Sequence, residues 1–204
     1  MKHSKKIVYL IVILILIVII IGFLILKKMI KNTKMGNNMN SQEIVDYILN
    51  IQSYKSNIIV QVNSNKNSNK YILEQEYNTE NGSVQIVIEP SNIAGVKISL
   101  KDEVLKIENT SLNLSQIFEN YKALENNSLD LISFIEDYKN NDNSIIEENE
   151  NELILKTNNN SKNKYNQNKV LYINKKNKLP TKLIVEDNNQ NTTINIKYNS
   201  IEIY

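Results

Sequence analysis

The chain has 204 residues, with 24 lysines, no arginine, no cysteine and a single histidine, His3. Disulfides, thiolate metal sites, cysteine nucleophiles and a lipidated cysteine are therefore excluded, as is a Ser-His-Asp triad or a histidine metal site in the folded part. The net charge of +2 conceals an asymmetry: the seven lysines before residue 35 flank one apolar segment, and from residue 36 onward 17 Lys meet 22 Asp and Glu, a net of −5.

A part with that balance is predicted to bind no nucleic acid. It has no guanidinium fork and no basic excess with which to displace counterions. The heavy use of Asn and Ile reflects an AT-rich coding bias more than chemistry, and Asn-x-Ser/Thr triplets such as Asn109-Thr110-Ser111 follow from it.

The first element is Ile7–Leu26, 20 residues without a charge. A helix of that length spans the ~30 Å hydrocarbon core of a bilayer. A cleaved signal peptide has a shorter apolar region and a small-x-small site, and here "KKMIKNTKMG" follows instead. Residues 1–31 are thus predicted to be a transmembrane anchor with basic flanks, and 32–40 a linker. Lysines lie on both sides of the apolar run, so the positive-inside rule gives no orientation.

A folded domain is predicted over 41–204. It opens on one amphipathic helix: Asn40 and Glu43 resemble a capping box, and Ile44, Ile48 and Ile51 share a face that Val45, Tyr47 and Tyr54 widen. Period-2 patterns follow. Ile58, Val60 and Val62 share one face; so do Tyr71, Leu73 and Tyr77, then Val84, Ile86 and Ile88, then Val96, Ile98 and Leu100, then Leu105 and Ile107. "NSNKNSN", "TENG", "PSNIAG" and "KDE" supply the turns.

The segment 112–139 has helical spacing and predicts a helical insertion. Ser128 is its candidate cap, and Leu129, Ile132, Phe134 and Ile135 are its candidate inward face. Strands then resume at 144–148, 152–157, 169–174, 181–187, 192–198 and the final "IEIY". Within "VLYINKKNKLPTKLIVED", 170–187, a Lys/Asn turn joins two apolar runs. Pro180, lacking an N–H, fits the first residue of the second strand. The short gaps leave no room for crossover helices, so the sheet is predicted to be an antiparallel meander in a mainly β, α+β fold. Its apolar face must curl or be covered, and the two helical segments are the candidate covers.

The helix running into the first strand, "EIVDYILNIQSYKSNIIVQV", and the block "VLYINKKNKLPTKLIVED" with "TTINIKYNSIEI" behind it carry a resemblance. Over roughly 41–204 the chain resembles the LolA/LolB-like superfamily, and within it the clostridial spore-germination lipoproteins of the GerS type. The resemblance implies a curved, open half-barrel whose face is plugged by helices, preceded here by one transmembrane helix. It implies an extracytoplasmic place in the cell or spore envelope. It also implies a binding role, supporting a partner such as a peptidoglycan amidase, or in the wider superfamily holding acyl chains as a tethered lipid or lipoprotein binder. Germination lipoproteins of this type carry a lipidated cysteine. This chain has none, so the apolar helix is expected to replace the lipid.

An enzyme is not expected. The raw material is limited to carboxylates such as "EENENE" at 147–152, and such a run is far more often a solvated turn than a catalytic pair held in a cleft. No catalytic, cofactor-binding or metal-ligating residue, and no cofactor, is assigned from the sequence.

Overall fold

The computed structural model describes residues 39–64, 66–109, 111–121, 129–158 and 167–204. The anchor 1–31, most of the linker and the candidate cap Ser128 lie outside the described residues. Among the described residues no helix is long and apolar enough to cross a membrane.

Eleven strands build one antiparallel sheet. Helix α1 (Ser41–Leu49) leads into β1 (Ser53–Asn63), β2 (Ser68–Asn78), β3 (Gly82–Glu89), β4 (Val96–Lys101), β5 (Val104–Asn109) and β6 (Leu114–Phe118). Helix α2 (Leu131–Lys139) follows, then β7 (Ile145–Glu148), β8 (Glu152–Asn158), β9 (Asn168–Asn174), β10 (Pro180–Glu186) and β11 (Thr192–Ile203). The spatial order is β6-β5-β4-β3-β2-β1-β11-β10-β9-β8-β7. The first and last strands meet in the middle, from Tyr54 opposite Ile203 to Val62 opposite Ile194. β6 and β7 are the two free ends, so the sheet is open. The meander predicted from the alternation is observed, and sequential hairpins explain it: every pair except β1–β11 joins strands adjacent in sequence.

One face of the sheet, called inner here, buries the core. Ile58, Val60, Leu73, Leu153, Leu155, Leu171, Ile173, Leu183, Val185 and Ile196 project from it and are buried. Both helices cover this face with their apolar sides, Ile44, Val45 and Ile48 from α1 and Leu131, Phe134 and Ile135 from α2. Helix α1 opens directly after Asn40 but stops at Leu49. Ile51 is buried beyond its end, while Tyr47, predicted to face inward, is exposed.

Four other expectations need correction. Residues 114–118 are strand β6, and helix α2 starts only at Leu131 with Asp130 as its N-cap, so 112–139 is not one helical insertion. Ile132 and Leu129 are half-buried rather than core residues. In β3 the buried side is Ser83, Gln85 and Val87, and the more apolar Val84, Ile86 and Ile88 lie on the outer face. Register puts Gln85 opposite Gln75, which stands opposite Ser56, so a polar row crosses the inner face; Ser56 and Gln75 are bonded to each other, and Gln85 Nε2 has no hydrogen-bond partner among the described residues. Finally, 192–198 and "IEIY" are one strand, carried past a bulge opposite Asn57 and Ile58.

The hairpin at 170–187 forms as read. Pro180 is the first residue of β10 and pairs with Ile173. Asn174 Oδ1 accepts from the Lys176 and Asn177 N–H groups, and Lys178 turns the chain at φ 62°. At the β2–β3 turn only glycine fits: Gly82 has φ 77°, and a Cβ there would lie 2.1 Å from the Leu100 carbonyl oxygen.

Candidate interaction surface

The cross-strand register divides the sheet into two unequal halves. Over β8–β11 and β1 the inner face lies under the helices. Beyond β2 the cover thins. No residue of β4, β5 or β6 is buried. Yet register places Leu100, Leu105 and Phe118 in one inner-face row with Ser83, and Ile98, Ile107 and Gln116 in the next with Gln85. Leu112, Leu114, Ile117 and Phe118 are among the most exposed large apolar residues described. This wing, β3–β6, is an apolar surface left half-open.

A polar set marks the border between the halves. The Tyr54 hydroxyl donates to Asp130 Oδ1 at 2.5 Å, and the same oxygen caps α2 by accepting from the Ile132 N–H at 3.3 Å. Gln75 Nε2 donates to the Leu129 carbonyl at 2.9 Å. Residues 129–130 are thereby pinned to the sheet just where α2 starts. Burial, followed by the Asp130 charge, pushes the Tyr54 hydroxyl well above the usual tyrosine range, so it stays a donor. Tyr77 stacks on Tyr54 at 5.9 Å.

Deeper under α2, Lys169 is 1% exposed and pairs with Asp137 Oδ2 at 2.6 Å, and it donates to Ser133 Oγ at 2.8 Å. Burial lowers the Lys169 ammonium pKa, and the Asp137 charge offsets part of that shift. The lysine thus fastens the helix to β9. It shares the inner face with Leu171 and Ile173, where an alternation reading expects an apolar residue. The residues flanking it give no sign of its partner.

Between the first turns of α2 and the tips of the β2–β3 and β4–β5 hairpins lies a cavity of about 370 Å3. Tyr77, Leu100 and Ile132 supply apolar wall. Among the described residues, Glu80, Asp102, Glu103, Asp130 and Glu136 supply five carboxylates, against the single cation of Lys101. Burial raises the Glu136 pKa, and the charges of Asp130 and Asp137 raise it further. Like charges crowded in this way favour a cationic visitor. No sequence motif points to the cavity, because its carboxylates come from three separated segments.

The carboxylates of "EENENE" fall at the exposed β7–β8 hairpin. Glu147 pairs with Lys156 at 2.7 Å, and Glu148 with Lys175 at 3.4 Å and with the Ser41 hydroxyl. These are surface contacts that hold the hairpin and the start of α1 in place. Among the described residues no cluster could hold a metal ion.

The sporulation protein YdcC-like family matches residues 5–203. No curated protein matches the chain. Among solved structures, the complex of the CwlD amidase with the GerS lipoprotein from Clostridioides difficile contains a chain of similar fold, at TM-score 0.52 and 23% identity, covering 82% of this chain and 98% of that one. A conserved protein from Thermus thermophilus is similar at TM-score 0.51 and 10% identity, covering 81% and 88%. A LolA superfamily protein from Nitrosomonas europaea aligns at TM-score 0.40 and 13% identity, covering 82% and 94%. The sporulation family and the fold shared with the GerS chain agree with the spore-germination resemblance read from the sequence.

Proposed function

Since the chain belongs to the YdcC-like sporulation family, we propose that it is a non-catalytic binding protein of the spore or cell envelope. Its open sheet acts as a half-barrel that holds a protein partner, and Ile7–Leu26 tethers it to a membrane with the folded part outside the cytoplasm. The first candidate partner is a cell-wall amidase, because the structural relative from Clostridioides difficile was solved in complex with the CwlD amidase.

The observation that carries this reading is the half-open wing. Exposed apolar patches rimmed by charge mark protein contacts, and Leu114 and Phe118 are exposed on the inner face of β6, with Phe118 in the same row as Leu100 of the acidic cavity's wall. The acyl-chain reading has weaker support. Where the inner face is most apolar, Phe134, Leu155, Leu171, Leu183 and Ile196 fill it with the protein's own side chains. The cavity near α2 is lined by carboxylates, which suit an acyl chain poorly.

The test is direct binding of the purified full chain, in detergent, to the amidase of its own organism, read by interferometry. A saturable complex is expected. Its absence, with both proteins folded, would remove the amidase as partner.

A further inference from the structure

The two free ends of the sheet are built differently. β7 is four residues long and carries two charges, Glu147 and Glu148, both held in ion pairs. Charges of this kind protect an edge strand against further pairing. β6 reads Leu-Ser-Gln-Ile-Phe, with no charge and no proline, and all five residues are exposed. Leu114 is 62% exposed, Ile117 53% and Phe118 44%. Asn113 and Asn120, at φ 50° and 56°, turn the chain away at both ends of the strand. One side of the β6 backbone bonds β5, from Leu114 opposite Asn109 to Phe118 opposite Leu105. The other side has no strand beside it among the described residues. An edge with these properties is a ready template for another strand.

The edge also has a direction. Its Phe118 end leads to the acidic cavity, where the Tyr121 N–H donates to the Glu103 carbonyl at 2.6 Å. Asp102 and Glu103 form the β4–β5 turn and belong to the cavity wall. A strand laid outside β6 would end about two strand spacings, roughly 10 Å, from that turn. One or two further residues and a long side chain cover that distance. The domain's net acidity and the five carboxylates of the cavity suit a basic terminus there.

We propose that β6 is a strand-addition site: it accepts an extended segment of a protein partner, apolar at the alternate positions beside Leu114 and Phe118, with lysine or arginine at the end that meets Asp102 and Glu103. This rests on the binding role proposed above and names how the partner is held. Main-chain hydrogen bonds provide the affinity. The apolar row and the basic end select the segment and set its direction.

The test uses the full chain in detergent and two probes. One is a labelled acetylated octapeptide of alternating valine and threonine ending in two lysines, with a twin N-methylated at alternate residues. The twin keeps side chains and charge but loses its donors along one edge. The other probe is the amidase. The plain peptide is expected to bind at least tenfold more tightly than its twin and to lose at least tenfold in Leu114→Lys, which puts a charge into the apolar row. Asp102→Asn with Glu103→Gln should lower its affinity several-fold and flatten its salt dependence. Leu114 is exposed, so the melting curve should not move, which separates lost binding from lost folding.

Equal binding of the two peptides, or no binding of either, overturns the proposal. So does an amidase affinity unchanged in Leu114→Lys, although that result leaves the binding role intact. Edge-dependent peptide binding without amidase binding supports the strand-addition site and removes the amidase as partner. A dimer of the wild-type chain that Leu114→Lys converts to monomer would place a second copy on β6 and overturn the proposal.

Discussion

The two halves of the sheet share one backbone pattern and differ in what lies on top of it. Over β8–β10, alternate residues such as Leu153, Leu171 and Leu183 are sealed under α1 and α2. Over β4–β6, residues of similar apolarity, Ile98, Leu105 and Phe118, stand in equivalent rows and remain accessible. Strand geometry therefore does not decide which side chains stabilise the fold. Cover decides it, and the helices are long enough to cover only one half. The apolar residues of the other half are available for contact with a partner.

The largest test of this contrast removes one aromatic ring from each half. Phe134→Ala takes away a side chain that α2 buries completely. It should cost about 4 kcal/mol and lower Tm by roughly 10 °C. Phe118→Ala in the wing should cost less than about 0.5 kcal/mol. Similar losses in thermal denaturation would mean that the wing is packed as tightly as the core and that the contrast is wrong.

A smaller effect is expected at the border. Tyr54→Phe keeps the ring and removes the hydroxyl donated to Asp130. The buried carboxylate then keeps its contact with the Ile132 N–H and loses its other donor, at a cost of about 2 kcal/mol. Hydrogen exchange should show faster opening at the start of α2, with β4–β6 unchanged. Uniform loss of protection would show that the pin acts on the whole domain.

The smallest effect depends on pH. The Glu136 pKa is raised by burial and by its acidic neighbours. A carboxyl with a raised folded pKa lowers stability once pH climbs through that value, and has no such effect below its unfolded pKa, where both states carry the proton. Glu136→Gln should therefore raise Tm slightly at pH 7 and leave it unchanged below about pH 4. Solvent screening of this partly exposed group keeps the gain under about 1 kcal/mol. A gain of equal size at both pH values would show that charge is not its source.

Much of the fold was legible in the sequence where one face is buried and the other wet. β1, β8, β10 and the hairpin turning before Pro180 announce themselves by alternation and turn chemistry. β6 did not. With neither face covered, it has no reason to alternate, and Leu114, Ile117 and Phe118 fall by chance at helical spacing. β3 turns its more apolar side outward, and the polar row that Gln85 joins with Gln75 and Ser56 comes from other strands, so no local pattern announces it. Lys169 carries no local signal of its burial, since its partner Asp137 is on a helix 32 residues earlier. The acidic cavity is assembled from three hairpin and helix ends. Its chemistry exists only after folding, so no local pattern in the chain could have shown it.

The pairing of β1 with β11 has a consequence for how the molecule comes into being. Tyr54 meets Ile203, so the central seam joins two stretches that leave the ribosome far apart in time. Neighbouring hairpins can close as they emerge, but the seam must wait for β11, and such long-range closure makes assembly slow. A chain cut short before Thr192 would not be a slightly smaller sheet. It would be two unjoined fans, with Ile58 and Val60 bare along the line where they should meet.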